Sequence, residues 1–196
     1  MEDLMRHSAV EQARLIREGE VSADEMVEAA ITAIEKLNPD LNAVVLPMYD
    51  MARAAVSDLT GKEPLSGVPM LLKDVLAEYE GAPMTEGSRF LRGYVSARDS
   101  ELVRRYRRGG LVVVGRTNAP EFASKPTTEP ELYGATSNPW DKSRSPGGSS
   151  GGGGAAGAAG VVGVAPPNHR GGATRQPAGT SGRVGVKPTR RRQPQG

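Results

Sequence analysis

Four features of the sequence carry side chains with chemical potential. The first is Lys73, which closes the short apolar run 68–72 (VPMLL). Taken alone, a lysine there reads as a side chain snorkelling from a strand end. The second is the run Gly147-Gly148-Ser149-Ser150-Gly151-Gly152, followed by the small-residue stretch AAGAAG. Such low complexity reads either as a flexible linker or as a functional glycine-rich loop feeding a helix, and composition alone favours the linker. The third is Gly152-x-Gly154-x-x-Gly157, formally a dinucleotide fingerprint. No clear strand precedes it and no acidic residue follows it to hold a ribose, so it is a chance match within a glycine run. The fourth is the basic end, with Arg183, Lys187 and Arg190-Arg191-Arg192. These side chains suit phosphates, but no aromatic follows Trp140 to stack a base, and a solvated terminus is the simpler reading.

Composition removes other classes. Cysteine is absent, and only His7 and His169 supply imidazole, far apart in sequence. Two imidazoles alone make a poor zinc site, and no disulfide can form. The 196 residues fit one domain of ordinary size, and with 4% aromatics its core must rest on Leu, Ile, Val, Met and Ala. The N-terminus lacks a signal-peptide core and no stretch is long enough to span a bilayer, so a soluble cytoplasmic protein without membrane contact is expected. The net charge of +2 hides a split: all 23 acidic residues lie in 1–141, and none follows. Such asymmetry ordinarily suggests an arm for nucleic acid or membrane; the absences noted above weigh against nucleic acid.

The elements that would position these residues are legible in part. Leu4, Ala9, Val10, Ala13 and Ile16 follow helical spacing, with Gly19 as a C-cap. Ser22 and Glu25 form a capping box, and the helix they start places Met26, Ala30, Ile34 and Leu37 on one face before Asn38-Pro39 ends it. Residues 41–46 and 68–72 suit buried strands, 99–108 a helix closed by Gly109-Gly110, and 111–114 the clearest strand. A helix between buried strands points to an α/β arrangement with both faces of the sheet covered.

Three stretches, in order, resemble the amidase-signature family. They are Gly67–Asp74 (GVPMLLKD), then Gly115–Phe122 (GRTNAPEF) with Thr128-Glu129 and Asn138–Asp141 (NPWD), and then Pro146–Gly152 (PGGSSGG). Weaker likeness continues through Gly171–Arg175 to Gly185–Thr189, so nearly the whole chain is covered. Each motif is weak alone; their order and spacing carry the resemblance. It implies an α/β fold with a mixed β-sheet core covered by helices on both faces, incomplete at the C-terminal side. On this reading 1–196 is a partial domain, with a helical part over 1–60, a signature core over 61–189 and a basic tail over 190–196.

The resemblance also implies a reaction, hydrolysis of a carboxylic amide through an acyl-enzyme on a Ser–cis-Ser–Lys triad, without metal or cofactor. A serine hydroxyl is a weak nucleophile until a neighbour takes its proton. A lysine can take it only when neutral, which requires burial or nearby cations to lower its pKa from about 10.4 toward 7 or 8. By resemblance Lys73 is the base, Ser149 the cis-serine relay and Ser150 a supporting hydrogen-bonding residue. The partner is a small-molecule amide, and a homodimer is compatible.

The family's nucleophile is the serine of a Gly-Gly-Ser segment, 24 positions after the cis-serine. Here that position is Ala173, with Gly171-Gly172 before it and Arg175, Pro177 and Ala178 after it holding the register. Losing the nucleophile of a comparable triad costs roughly a million-fold in turnover. His169 stands where the family has an aspartate, and Pro166-Pro167 replace small residues, so the approach to the site is expected to be altered. The backbone amides of Arg170, Gly171, Gly172 and Ala173 match the family's oxyanion hole. Thr174 and Thr180 carry hydroxyls out of register. A disarmed amidase is therefore expected, its end reflecting either a truncated gene product or a disturbed sequence. Two alternatives remain: a non-catalytic binding protein with a basic tail, and a fragment related to a glutamine-dependent amidotransferase subunit.

Overall fold

The computed structural model describes residues 4–166, 172–189 and 192. A single 3-10 turn, Leu4–Arg6, leads into α1 (Ala9–Arg17), whose first turn is capped by Ser8 accepting from the Glu11 amide. Gly19, at φ +73°, takes the left-handed position after its end. Val10, although in helical register, is 73% exposed; the buried face of α1 is Gln12, Ala13 and Leu15.

The second helix, α2 (Ala23–Leu41), begins with the Ser22–Glu25 capping box, both reciprocal bonds being present. It buries Met26, Ala30 and Ile34 as the spacing requires. It does not end at Asn38-Pro39. Pro39 lies inside the last turn, and the helix runs on to Leu41, which is buried, before Asn42 closes it in the left-handed region. Asn38 explains the difference. Its side chain accepts from the amides of Ala43 and Val44 at 2.8 and 2.7 Å and donates to the Val44 carbonyl at 2.8 Å. That lock on the following turn offsets the backbone bond lost to proline. The strand expected from residue 41 consequently starts later, as β1 (Val44–Pro47). A short helix that the sequence pattern does not announce, α3 (Tyr49–Val56), follows it.

The sheet is completed by β2 (Pro69–Lys73) and β3 (Val112–Thr117), separated by α4 (Glu101–Arg108). Strand order is β1-β3-β2, with β1 antiparallel and β2 parallel to the central β3. Both β2 and β3 are buried throughout, as expected of apolar runs covered on both faces. Alternation along the strands sorts the core into two halves. Leu71, Val112, Val114 and Val44 pack with Met26, Ala30 and Ile34 of α2 and with Ala155 and Ala156. Met70, Leu72 and Val113 pack on the other face with Ala13 of α1 and Val103 of α4. The mixed sheet with helices on both faces is thus the one anticipated.

The glycine-rich stretch is not a linker. It forms α5 (Gly151–Ala158), in which Gly151, Gly152, Ala155, Ala156 and Gly157 are buried. The glycines permit backbone contact: a Cβ on Gly152 would stand 2.5 Å from the Asn118 amide nitrogen and 2.7 Å from the Ala43 carbonyl. The short helix α6 (Arg175–Thr180) packs against α5, and an irregular segment over 181–189 leaves Val184 and Val186 exposed. Gly152→Ala is expected to lower stability by about 1–3 kcal/mol, because backbone rather than a flexible side chain must give way. Gly179→Ala, a helical position where a Cβ meets nothing within 4 Å, should be neutral or raise stability by up to about 1 kcal/mol. Chemical denaturation of the two variants checks the contrast, and equal effects would refute it.

Candidate active site

The last residue of β2 is Lys73, only 2% exposed although its side chain ends in a primary amine. Its register partner Thr117 ends β3, so both strands terminate together and their C-terminal ends form one edge of the site. Onto this edge comes the loop 147–150. The peptide bond between Gly148 and Ser149 is cis. The Lys73 Nζ donates to the Ser149 Oγ at 2.7 Å, in a buried setting. Burial pushes the Lys73 pKa down to about 7, with the carboxylate of Glu86 opposing this. An amine so placed is partly neutral near pH 7 and able to accept a proton.

The neighbouring buried charges are held apart from this pair. Asp74 is fully buried, and its carboxylate accepts from the Thr85 amide at 3.0 Å and the Thr85 hydroxyl at 2.6 Å. Burial raises its pKa, and the Thr85 bonds oppose that. Arg116 is likewise buried and donates from Nη1 to the Ala77 carbonyl at 2.8 Å. Burial lowers its pKa against the favourable field of Asp74. Both residues fall inside stretches that carry the family resemblance, but the resemblance alone gives their side chains no part.

Ser150 and Ala173 line one cavity of about 260 Å³, together with Thr174, Pro177 and Arg183. Ala173 is 1% exposed and presents only a methyl group. The Ser150 hydroxyl, expected to support the site by hydrogen bonding, has no partner among the described residues. Gly172, at φ +109°, turns the chain into Ala173, a conformation that glycine adopts without steric penalty. Arg170 and Gly171, assigned with Gly172 to an oxyanion hole, lie outside the described residues, as does His169. Thr180 is engaged elsewhere, its hydroxyl donating to the Pro146 carbonyl at 2.6 Å.

Comparison with known proteins identifies the family. The amidase family model matches residues 25–196. The chain belongs to the amidase family. It is 44% identical over 186 residues to the 6-aminohexanoate-cyclic-dimer hydrolase of Paenarthrobacter ureafaciens, covering 94% of this chain and 37% of that protein. It is 43% identical to a glutamyl-tRNA(Gln) amidotransferase subunit of Acidothermus cellulolyticus, over 96% of this chain and 39% of that one. Among solved structures, a 6-aminohexanoate cyclic dimer hydrolase complexed with substrate superposes with a TM-score of 0.86 at 43% identity, over 90% of this chain and 36% of the other. A bacterial aryl acylamidase of the amidase signature family gives 0.83 at 35% identity, over 88% and 37%. The chain therefore spans well under half the length of these amidase relatives. Among the described residues no helix is long and apolar enough to cross a membrane.

The buried amine has a consequence for stability. Its folded pKa, about 7, lies below the ordinary 10.5, so folding expels a proton from Lys73 between those values. The penalty is present in full below about pH 7 and fades as pH rises toward 10.5. Lys73→Met is expected to stabilise the protein by roughly 3–5 kcal/mol at pH 6, with the gain shrinking toward pH 10. Urea denaturation at the two pH values checks it; a gain that grows with pH would contradict the assignment.

Proposed function

We propose that this chain carries the base and relay of an amide-hydrolysing Ser–cis-Ser–Lys centre, with Lys73 as base and Ser149 as relay, and that Ala173 leaves the nucleophile position without a hydroxyl. The observation that carries the reading is the buried Lys73–Ser149 hydrogen bond of 2.7 Å beside a cis Gly148–Ser149 bond. The chemistry would run from Ser149 outward. Its hydroxyl lies on the lysine nitrogen, so it can pass a proton inward and accept one from a nucleophile on its other side. In this family such a nucleophile attacks the amide carbonyl, the nitrogen leaves as ammonia or amine, and water releases the acid. A methyl group at position 173 cannot start that sequence, and negligible amide turnover is the expected property of the chain. Arg170, Gly171 and Gly172 are proposed to supply the amides that would meet the developing oxyanion.

The relatives named as hydrolases support small amides as substrates, including the 6-aminohexanoate cyclic dimer and aryl acylamides. The likeness to the glutamyl-tRNA(Gln) amidotransferase subunit supports a second reading, in which ammonia is passed to a charged transfer RNA within a multi-subunit enzyme. Ammonia or amine release by a single chain, without added partners, separates the two.

The decisive experiment restores the missing group. Ala173→Ser is expected to raise amide turnover at least about a hundred-fold above the unmodified chain, against the roughly million-fold loss known for nucleophile removal. The gain should disappear in Ala173→Ser/Lys73→Ala. Its kcat/KM should rise with pH through about 7, because the base acts only when deprotonated. No gain on restoring the hydroxyl would remove position 173 from the mechanism. Turnover by the unmodified chain that survives Lys73→Ala would overturn the assigned machinery as a whole.

A further inference from the structure

The loop that presents Ser149 is held by a residue from another part of the chain. Thr128 is 1% exposed, and its backbone carbonyl is fixed by the Thr136 amide at 2.9 Å. Its hydroxyl donates to the Gly147 carbonyl at 2.9 Å and accepts from the Gly151 amide at 3.1 Å. Those two groups are the two ends of the segment whose middle residue is Ser149. One hydroxyl, using its single hydrogen and a lone pair, therefore closes the loop like a clasp. The fit around it leaves no slack. A Cβ on Gly151 would lie 2.3 Å from the Thr128 Oγ1, and a Cβ on Gly148 would lie 2.7–2.8 Å from backbone atoms of Pro126 and Thr127. The backbone over 126–128 is thus the mould against which the serine loop is cast, and the threonine hydroxyl is its attachment.

We infer that Thr128 is a positioning residue, whose hydroxyl sets the Ser149 Oγ on the Lys73 Nζ by tying Gly147 to Gly151. It touches neither Lys73 nor any reacting atom, and acts through the loop alone. The inference deepens the reading of Lys73 and Ser149 as base and relay, since it names what holds the relay in place. A purely structural threonine, filling space at a turn, would be replaced by valine without consequence for the lysine; a clasp would not.

The test uses the chain as it stands, with Ala173 in place, and follows the titration of Lys73 by NMR of its side-chain methylene next to the amine. Lys73 owes its low pKa first to burial, to which the serine loop closed over its amine contributes. Releasing the loop by Thr128→Val admits water to the amine and should therefore raise the midpoint from about 7 by half a pH unit or more. Thr128→Ser, which keeps the hydroxyl, should restore it. A folded Thr128→Val with an unchanged midpoint overturns the inference, as does a folded Thr128→Ser that fails to restore it. Should the valine variant not fold, Thr128→Ala, which leaves room around the vacated oxygen, takes its place with the same expected direction and the same overturning result. A midpoint that depends on Thr128 in a chain whose Ala173→Ser variant stays inactive would discard the amidase reading and keep the clasp. An unchanged midpoint beside an active Ala173→Ser would discard the clasp alone.

Discussion

Lys73 is taken out of water without an ion pair to any of the described residues. Among the described residues, the hydrogen-bond partner of its Nζ is the hydroxyl of Ser149. Desolvating an ammonium is among the more expensive things a fold can do, and without a carboxylate in contact the amine responds by giving up its proton more readily. Everything nearby is consistent with keeping that response intact. Asp74, next along the chain, is engaged by Thr85 and Gly87. Arg116 is directed to the Ala77 carbonyl. A carboxylate turned onto Lys73 would make a buried salt bridge and restore its charge; Thr85 occupies Asp74, and Glu86, whose field opposes the shift, accepts from the Leu76 amide at 3.2 Å.

The same requirement explains the glycines of the loop that carries Ser149 and of the first turn of α5. A serine can be delivered to a buried amine only if the loop carrying it comes close to the ends of β2 and β3, and at such distances there is no room for side chains. Gly148, Gly151 and Gly152 each lie where a Cβ would collide with backbone or with the Thr128 side chain. Alanines on α5 then fill the remaining space against Leu71 and α2. What reads as low complexity by residue frequency is close packing of backbone on backbone. Frequency statistics confuse the two because glycine serves both flexible chains and crowded ones.

Legibility in the sequence follows the range of the forces involved. The capping box at Ser22–Glu25, the apolar strands β2 and β3 and the helix beginning after Ser100 are local or periodic, and each stands where the pattern puts it. The end of α2 is not legible, because a proline signal is local whereas the Asn38 lock closes only when the chain returns as β1. Helix α3 has only eight residues, and its stripe of Tyr49, Ala52, Ala55 and Val56 is too brief to stand out in the sequence. Lys73 and Ser149, 76 positions apart, are paired by family likeness, and no spacing rule would join them. The clasp by Thr128 is further from reach. A threonine hydroxyl has two bonds to make and many places to make them, and its choice of Gly147 and Gly151 depends on a fold already formed.

The lysine–serine pair is intact, while Ala173 lines a cavity that Ser150, next to the relay in sequence, also lines. Lys73 is placed by the buried strand that carries it. Ser149 is placed by the loop ends and the contacts around Gly148. Neither depends on a hydroxyl at position 173, which reaches the site from a different segment, through the turn at Gly172 and the packing of α6 on α5. The base-and-relay half of the proposed centre is therefore a product of the fold, and it stands with a methyl group at position 173. A short Lys–Ser distance accordingly speaks for ancestry and for the readiness of one proton path. On the proposed reading, whether an amide is cleaved turns on a further group, at position 173, that this pair does not require.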